Sequence, residues 1–201
     1  MRDYLLYIVL LATIVLLTLA EPISSQWLMF DRDAINEGQV WRLFTAHFVH
    51  LSAAHLLGNA VGVVLLAYIA GRSLNNLIGI LLLAWCTLIV GIGLYGYASY
   101  LEYYVGLSGV LHGLLLVAPF VSTFYSRRIA ACFLLVIVSK VAWEQSSFFD
   151  DMSMVGVIGG RVEANAHLLG VIAGLFFLLV YYGYSYYLKR SVQWGKLDDK
   201  K

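Results

Sequence analysis

Between Leu74 and Tyr97 the chain runs for 24 residues without a charged side chain. A helix needs about 20 apolar residues to cross about 30 Å of hydrocarbon. Five further apolar runs follow the same pattern. The six expected helices cover Tyr4 to Ala20, Phe48 to Ala70, Leu74 to Tyr97, Leu107 to Phe124, Ile129 to Glu144 and Ala164 to Tyr187. Composition agrees: 61% of residues are hydrophobic, 12% are charged and the mean hydropathy is +0.81. A soluble domain is nearer half apolar and a quarter charged. The expectation is an all-α, six-transmembrane-helix bundle, one domain over residues 1–201 with its core at 41–187, in a lipid bilayer. The small residues in TLAEP make a weak signal-peptide cleavage site. The apolar stretch before it is long for a signal sequence, so a retained helix is expected.

The connecting charges set an orientation. Arg2, Arg72, Arg127, Arg128, Lys189, Arg190, Lys196, Lys200 and Lys201 fall on one side, nine of the 13 basic residues. The positive-inside rule puts that side, and both termini, in the cytoplasm. A net charge of +1 argues against nucleic acid as a partner. Cys86 and Cys132 lie inside apolar runs without ligand spacing to any histidine, which argues against a disulfide framework or a zinc knuckle. Glu21 to His47 carries amphipathic material suited to the interface, with Trp27, Trp41 and Phe44 towards lipid and Arg42 towards headgroups or protein. Gln145 to Glu163 reads as a polar, glycine-rich, mobile loop.

This topology places His55 and Asn59, Ser108 and His112, and His167 in the outer half of three helices with the same direction. Taken singly, each reads as packing or interhelical glue. Together they point to a cavity, because polar groups in a bilayer are rare and usually functional. Gly106 and Gly109 flank the Leu107–Ser108 pair and open the serine to close approach. His55 and Asn59 are four apart and share a helix face. Ala166, Gly170 and Gly174 form a small-residue stripe that lets the last helix pack tightly against the fourth, bringing His167 to Ser108.

The chemistry expected is nucleophilic. A serine hydroxyl needs a base, and His167 is the candidate. No acid is read at comparable depth, so the expectation is a Ser–His dyad needing neither cofactor nor metal. His55, the Asn59 amide and the Ser108 N–H are available as oxyanion donors. Lys140 and Glu144, four apart, are expected to pair, either beside the substrate's entry or snorkelling to the interface. His47 and His50 read as structural or interfacial. A competing reading assigns His47, His50, His55, His112 and His167 to a metal-dependent membrane hydrolase or transporter. It lacks the carboxylates that usually orient such ligands.

At these residues the sequence resembles the rhomboid intramembrane serine proteases. The match is WR at Trp41 and Arg42, HLLGN with His55 and Asn59, GLSG with Ser108, and AHLLGVIAG with His167, Gly170 and Gly174. The resemblance implies Ser108 as nucleophile, His167 as general base, and His55 with Asn59 as the oxyanion hole. Many rhomboids carry an aromatic residue where this chain has His112. GLSGVLHG and the short chain are similar to the rhombosortase branch. That branch implies membrane-anchored substrates with a C-terminal glycine-rich sorting signal and a place in the bacterial inner membrane. His112 would then stack on His167 or hydrogen-bond within the site. A catalytically inactive rhomboid-like chaperone is the remaining alternative, opposed by the presence of both Ser108 and His167.

Overall fold

The computed structural model describes residues 4–198, with side chains described to residue 187. Arg2, Lys200 and Lys201 from the charge pattern lie outside the described residues, and Lys189, Arg190 and Lys196 are described as backbone only.

Each of the six apolar runs forms a helix: α1 Leu5–Leu19, α5 Ala53–Ala70, α6 Leu77–Tyr97, α7 Ser108–Val121, α8 Arg127–Glu144 and α10 Ala164–Asp198. Short helices fill two connections, with α2 Ile23–Leu28, α3 Arg32–Asn36 and α4 Arg42–Thr45 in the first and α9 Val155–Ile158 in the second. The ends follow from capping rather than hydropathy. Ser52 accepts the His55 N–H and starts α5 five residues after Phe48, where the apolar run begins. Asn76 accepts from Ile78 and Gly79 and starts α6. The last helix runs past Tyr187 to Asp198.

Among the described residues, three helical segments are long and apolar enough to cross a bilayer: Ala53–Leu74, Leu77–Tyr97 and Ala164–Tyr187. Leu5–Leu19 and Ser108–Val121 are apolar but shorter. α8 carries Arg127, Arg128, Lys140 and Glu144 within its 18 residues. The protein is a predominantly helical integral membrane protein.

The connection after α1 is tied to the bundle by two guanidinium groups, one half-buried and one buried. Phe30–Asp31 (β1) pairs antiparallel with Tyr103–Tyr104 (β2). Arg32 beside it donates to the carbonyls of Leu94, Tyr95, Ala98 and Leu101. A helix leaves its last carbonyls unpaired and favours a cation there, so Arg32 caps the end of α6. Arg42 is 5% exposed and donates to Met29 O, Gln26 O and Gln39 Oε1. Of the two surroundings expected for it, protein rather than headgroups holds it. Trp27, Trp41 and Phe44 keep the exposure expected of an interfacial stretch.

α7 lies at the centre, its Gly109, Val110, Leu111, Leu114, Leu116, Val117 and Ala118 all buried. α10 packs against it backbone to backbone. A Cβ on Gly170 would stand 1.9 Å from Gly109 O, and one on Gly109 would stand 2.7 Å from Ala166 O. Only glycine allows that approach. The small-residue stripe therefore faces α7, as its spacing predicts. α8 is the peripheral element and buries only Ala130, Val141 and Glu144.

Candidate active site

The site forms where α5, α7 and α10 begin and α8 ends. A cavity of about 400 Å³ is lined there by His55, Asn59, Ser108, His112, Lys140 and His167, among others. Val136 and Ile137 of α8 and Gly58 and Gly62 of α5 form apolar walls. Ile158, Arg161, Val162 and Glu163 line it from the connection between α8 and α10. Arg161 pairs there with Glu163 at 2.9 Å, and Val162 N–H donates to Asp151 O.

The turn ahead of Ser108 is clamped on both sides. Gly106 has φ +114°, a conformation that side chains rarely adopt. A Cβ there would also stand 2.6 Å from His55 Nε2. Its N–H donates to Ala46 O, and its carbonyl accepts the buried Tyr104 hydroxyl. Ser108 then opens α7, so its own N–H has no acceptor within the helix.

Across the close contact of α7 and α10, His167 Nε2 lies 2.9 Å from Ser108 Oγ. His167 is 6% exposed. Its other ring nitrogen, Nδ1, lies 2.8 Å from Glu144 Oε2. Glu144 Oε1 accepts from Lys140 Nζ at 2.5 Å. An Nδ1–H donated to Glu144 leaves the Nε2 lone pair facing the serine hydroxyl, the tautomer a general base needs.

The Lys140–Glu144 pair forms as its spacing predicts. The expectation that no acid reaches the depth of His167 fails. Glu144 is the last residue of α8, and the chain after it turns back so that Gln145 Nε2 donates to Ala164 O at the start of α10. The carboxylate, with its side chain 6% exposed, thus meets the first turn of α10 from above. The i,i+4 spacing to Lys140 is the signal the sequence carries, and by itself it reads as a self-contained ion pair.

His112 stacks on His167, with ring centroids 4.2 Å apart and planes at 25°. Its Nδ1 bonds Ser108 O at 2.7 Å, so its polar contact goes to its own helix. Asn59 is 4% exposed, and its Nδ2 donates to His55 O at 3.2 Å. His47 and His50 are fully buried, beside the backbone of Thr87, Gly106 and Leu43 and of Phe48 respectively. His47 meets Tyr104 edge-on and His50 meets His55 edge-on at 4.9 Å.

One group among the described residues brings possible metal ligands together: atoms of His112, Glu144 and His167 within 4.8 Å of one another. The fit is poor. Stacked rings hold their in-plane lone pairs in two separate, nearly parallel planes, whereas a zinc ion needs them to converge on one point. Glu144 is also already engaged by Lys140 and His167. The five histidines of the metal reading do not come together among the described residues, since His47, His50 and His55 stand outside this group.

The chain matches the Rhomboid domain family over residues 37–184. A Bacillus subtilis (strain 168) protein named "Putative rhomboid protease YdcA" is 30% identical over 149 residues, covering 73% of this chain and 70% of that protein. The match spans the walls of the cavity and all of the residues that converge on it. The chain belongs to the rhomboid family, whose members are typically intramembrane serine proteases.

Proposed function

We propose that this protein is an intramembrane serine endopeptidase in which Ser108 is the nucleophile and His167 its general base. The observation that carries the reading is the 2.9 Å approach of His167 Nε2 to Ser108 Oγ at an apolar-walled cavity. His167 takes the hydroxyl proton as Ser108 Oγ attacks the scissile carbonyl, then returns it to the leaving amine. The tetrahedral oxyanion takes hydrogen bonds from the Ser108 N–H, the Asn59 amide and His55, all at the same cavity. Water entering from the polar end hydrolyses the acyl-enzyme. His112 supplies the aromatic surface against which the His167 ring is held.

In this reading all six apolar helices cross the membrane of a bacterial cell, with both termini cytoplasmic and the cavity opening near the outer face. Substrates are membrane-anchored proteins cut near the outer end of their membrane segment. The GLSGVLHG form favours proteins with a C-terminal glycine-rich sorting signal. The inactive-chaperone reading has no use for a serine and a histidine in hydrogen-bond contact, and no observation favours it.

The test is co-expression with a tagged substrate bearing such a signal, with fluorophosphonate labelling in parallel. Wild type is expected to cleave and to label; Ser108→Ala is expected to do neither while inserting normally. Turnover retained in Ser108→Ala ends the reading.

A further inference from the structure

The contacts of His167 extend past the two-residue unit. Glu144 offers one carboxylate oxygen to His167 Nδ1 and the other to Lys140 Nζ. The four groups form one line: Lys140, Glu144, His167, Ser108. Glu144 and Lys140 come from α8, His167 from α10 and Ser108 from α7.

We propose that Glu144 is a positioning residue for His167, and that Lys140 in turn holds Glu144; this rests on the serine-protease reading above. The physical case has three parts. A buried imidazole N–H without an acceptor costs free energy, and the ring turns to find one. Stacking on His112 fixes the ring's plane but does not choose between the two orientations related by a 180° flip about χ2, nor between the tautomers. Glu144 supplies the missing constraint, since an acceptor-only carboxylate on Nδ1 selects the tautomer whose Nε2 accepts from Ser108. The same negative charge stabilises the imidazolium that forms as Ser108 attacks.

A carboxylate that is buried needs a counter-charge throughout, including while His167 is neutral. Lys140 provides it. Its side chain is 50% exposed, so the ammonium reaches water while holding Oε1. α8 also walls the cavity through Val136 and Ile137, so the acid that faces His167 is carried on the helix beside the cavity rather than on α7 or α10.

The experiment compares wild type, Ser108→Ala, Glu144→Gln, Glu144→Asp, Lys140→Met and the Glu144→Gln/Lys140→Met double variant. Each is purified in detergent, checked for thermal unfolding and assayed for kcat and KM. Glutamine matches glutamate in shape but can present an NH2 to Nδ1 and select the wrong tautomer. Glu144→Gln is expected to lower kcat by about 10²–10⁴ at unchanged KM, the upper end matching the loss when a triad acid becomes an amide. Glu144→Asp keeps the charge and is expected to recover part of that loss. Lys140→Met is expected to lower kcat less, and the double variant to be no worse than Glu144→Gln, because Lys140 acts through Glu144. Wild-type kcat in Glu144→Gln, with Ser108→Ala inactive, overturns this inference and leaves the protease reading standing. Cleavage by Ser108→Ala overturns both. If Glu144→Gln does not fold, Lys140→Met decides: an unchanged kcat there refutes the proposal, and a lower kcat at constant KM supports it.

Discussion

The rings of His112 and His167 lie face to face, 4.2 Å between centroids, one turn below the serine on α7. His112 has engaged its Nδ1 with Ser108 O, so no hydrogen bond joins the two rings through that atom. An aromatic contact of this kind is worth about 0.5–1.5 kcal/mol. His112→Ala is therefore expected to lower kcat/KM by roughly two- to twelvefold, at about 1.4 kcal/mol per decade. His112→Phe keeps the face and should stay near wild type. A folded but inactive His112→Phe would show that the imidazole's polar atoms, and not its face, are required. A pH–rate profile tests the same point independently: stacking leaves one titration in kcat, whereas two coupled imidazoles give two.

Asn59 is expected to act when charge develops rather than when substrate binds. Its amide rests on the His55 carbonyl through a long 3.2 Å bond, a contact readily exchanged for an oxyanion. Asn59→Ala should lower kcat by about 10²–10³ with KM held, the usual loss for one such donor. Steady-state kinetics on both parameters decides the point: a raised KM at constant kcat assigns Asn59 to substrate contact instead.

The α7–α10 approach makes a further prediction. Gly170→Ala places a methyl where Gly109 O already stands at 1.9 Å. The helices must separate, at a cost of about 1–3 kcal/mol for overpacking. Ser108 and His167 are carried on those two helices, and a displacement of about 1 Å can cost 10²-fold in rate. A lowered unfolding temperature together with a loss of kcat is expected. Unchanged activity at unchanged stability would refute the close packing.

Arg42→Ala should separate stability from chemistry. It removes the hydrogen bonds from the buried guanidinium to the carbonyls of Gln26 and Met29 and to Gln39 Oε1. A hydrogen bond to a charged group is worth about 1.5–3 kcal/mol. Limited proteolysis is expected to cut between α1 and α4 earlier than in wild type, with kcat per folded molecule retained. Equal proteolytic resistance would mean that other contacts hold this connection.

The six helices were legible because each apolar run is long, and hydropathy is a local property summed along the chain. That Ser108, His167, His55 and Asn59 meet at one cavity was legible because their motifs are ordered and each polar side chain stands out in an apolar stretch. The tightness of the α7–α10 contact was legible too, since Gly170 and Gly174 lie at the spacing of one helix face. Glu144 was not. Its partner depends on how the chain turns between α8 and α10, and no local pattern encodes which helix end a terminal side chain will meet. The partners of Arg32 and Arg42 escaped for another reason: most are backbone carbonyls, which every residue carries and which therefore leave no mark in a sequence. Composition and the lengths of the apolar runs by themselves determined a predominantly helical membrane protein, and the ordered motifs picked out polar residues that line one cavity. Only the tertiary structure decided that an acid on the peripheral helix completes the line to His167, because that contact joins residues 23 apart through a fold-dependent turn.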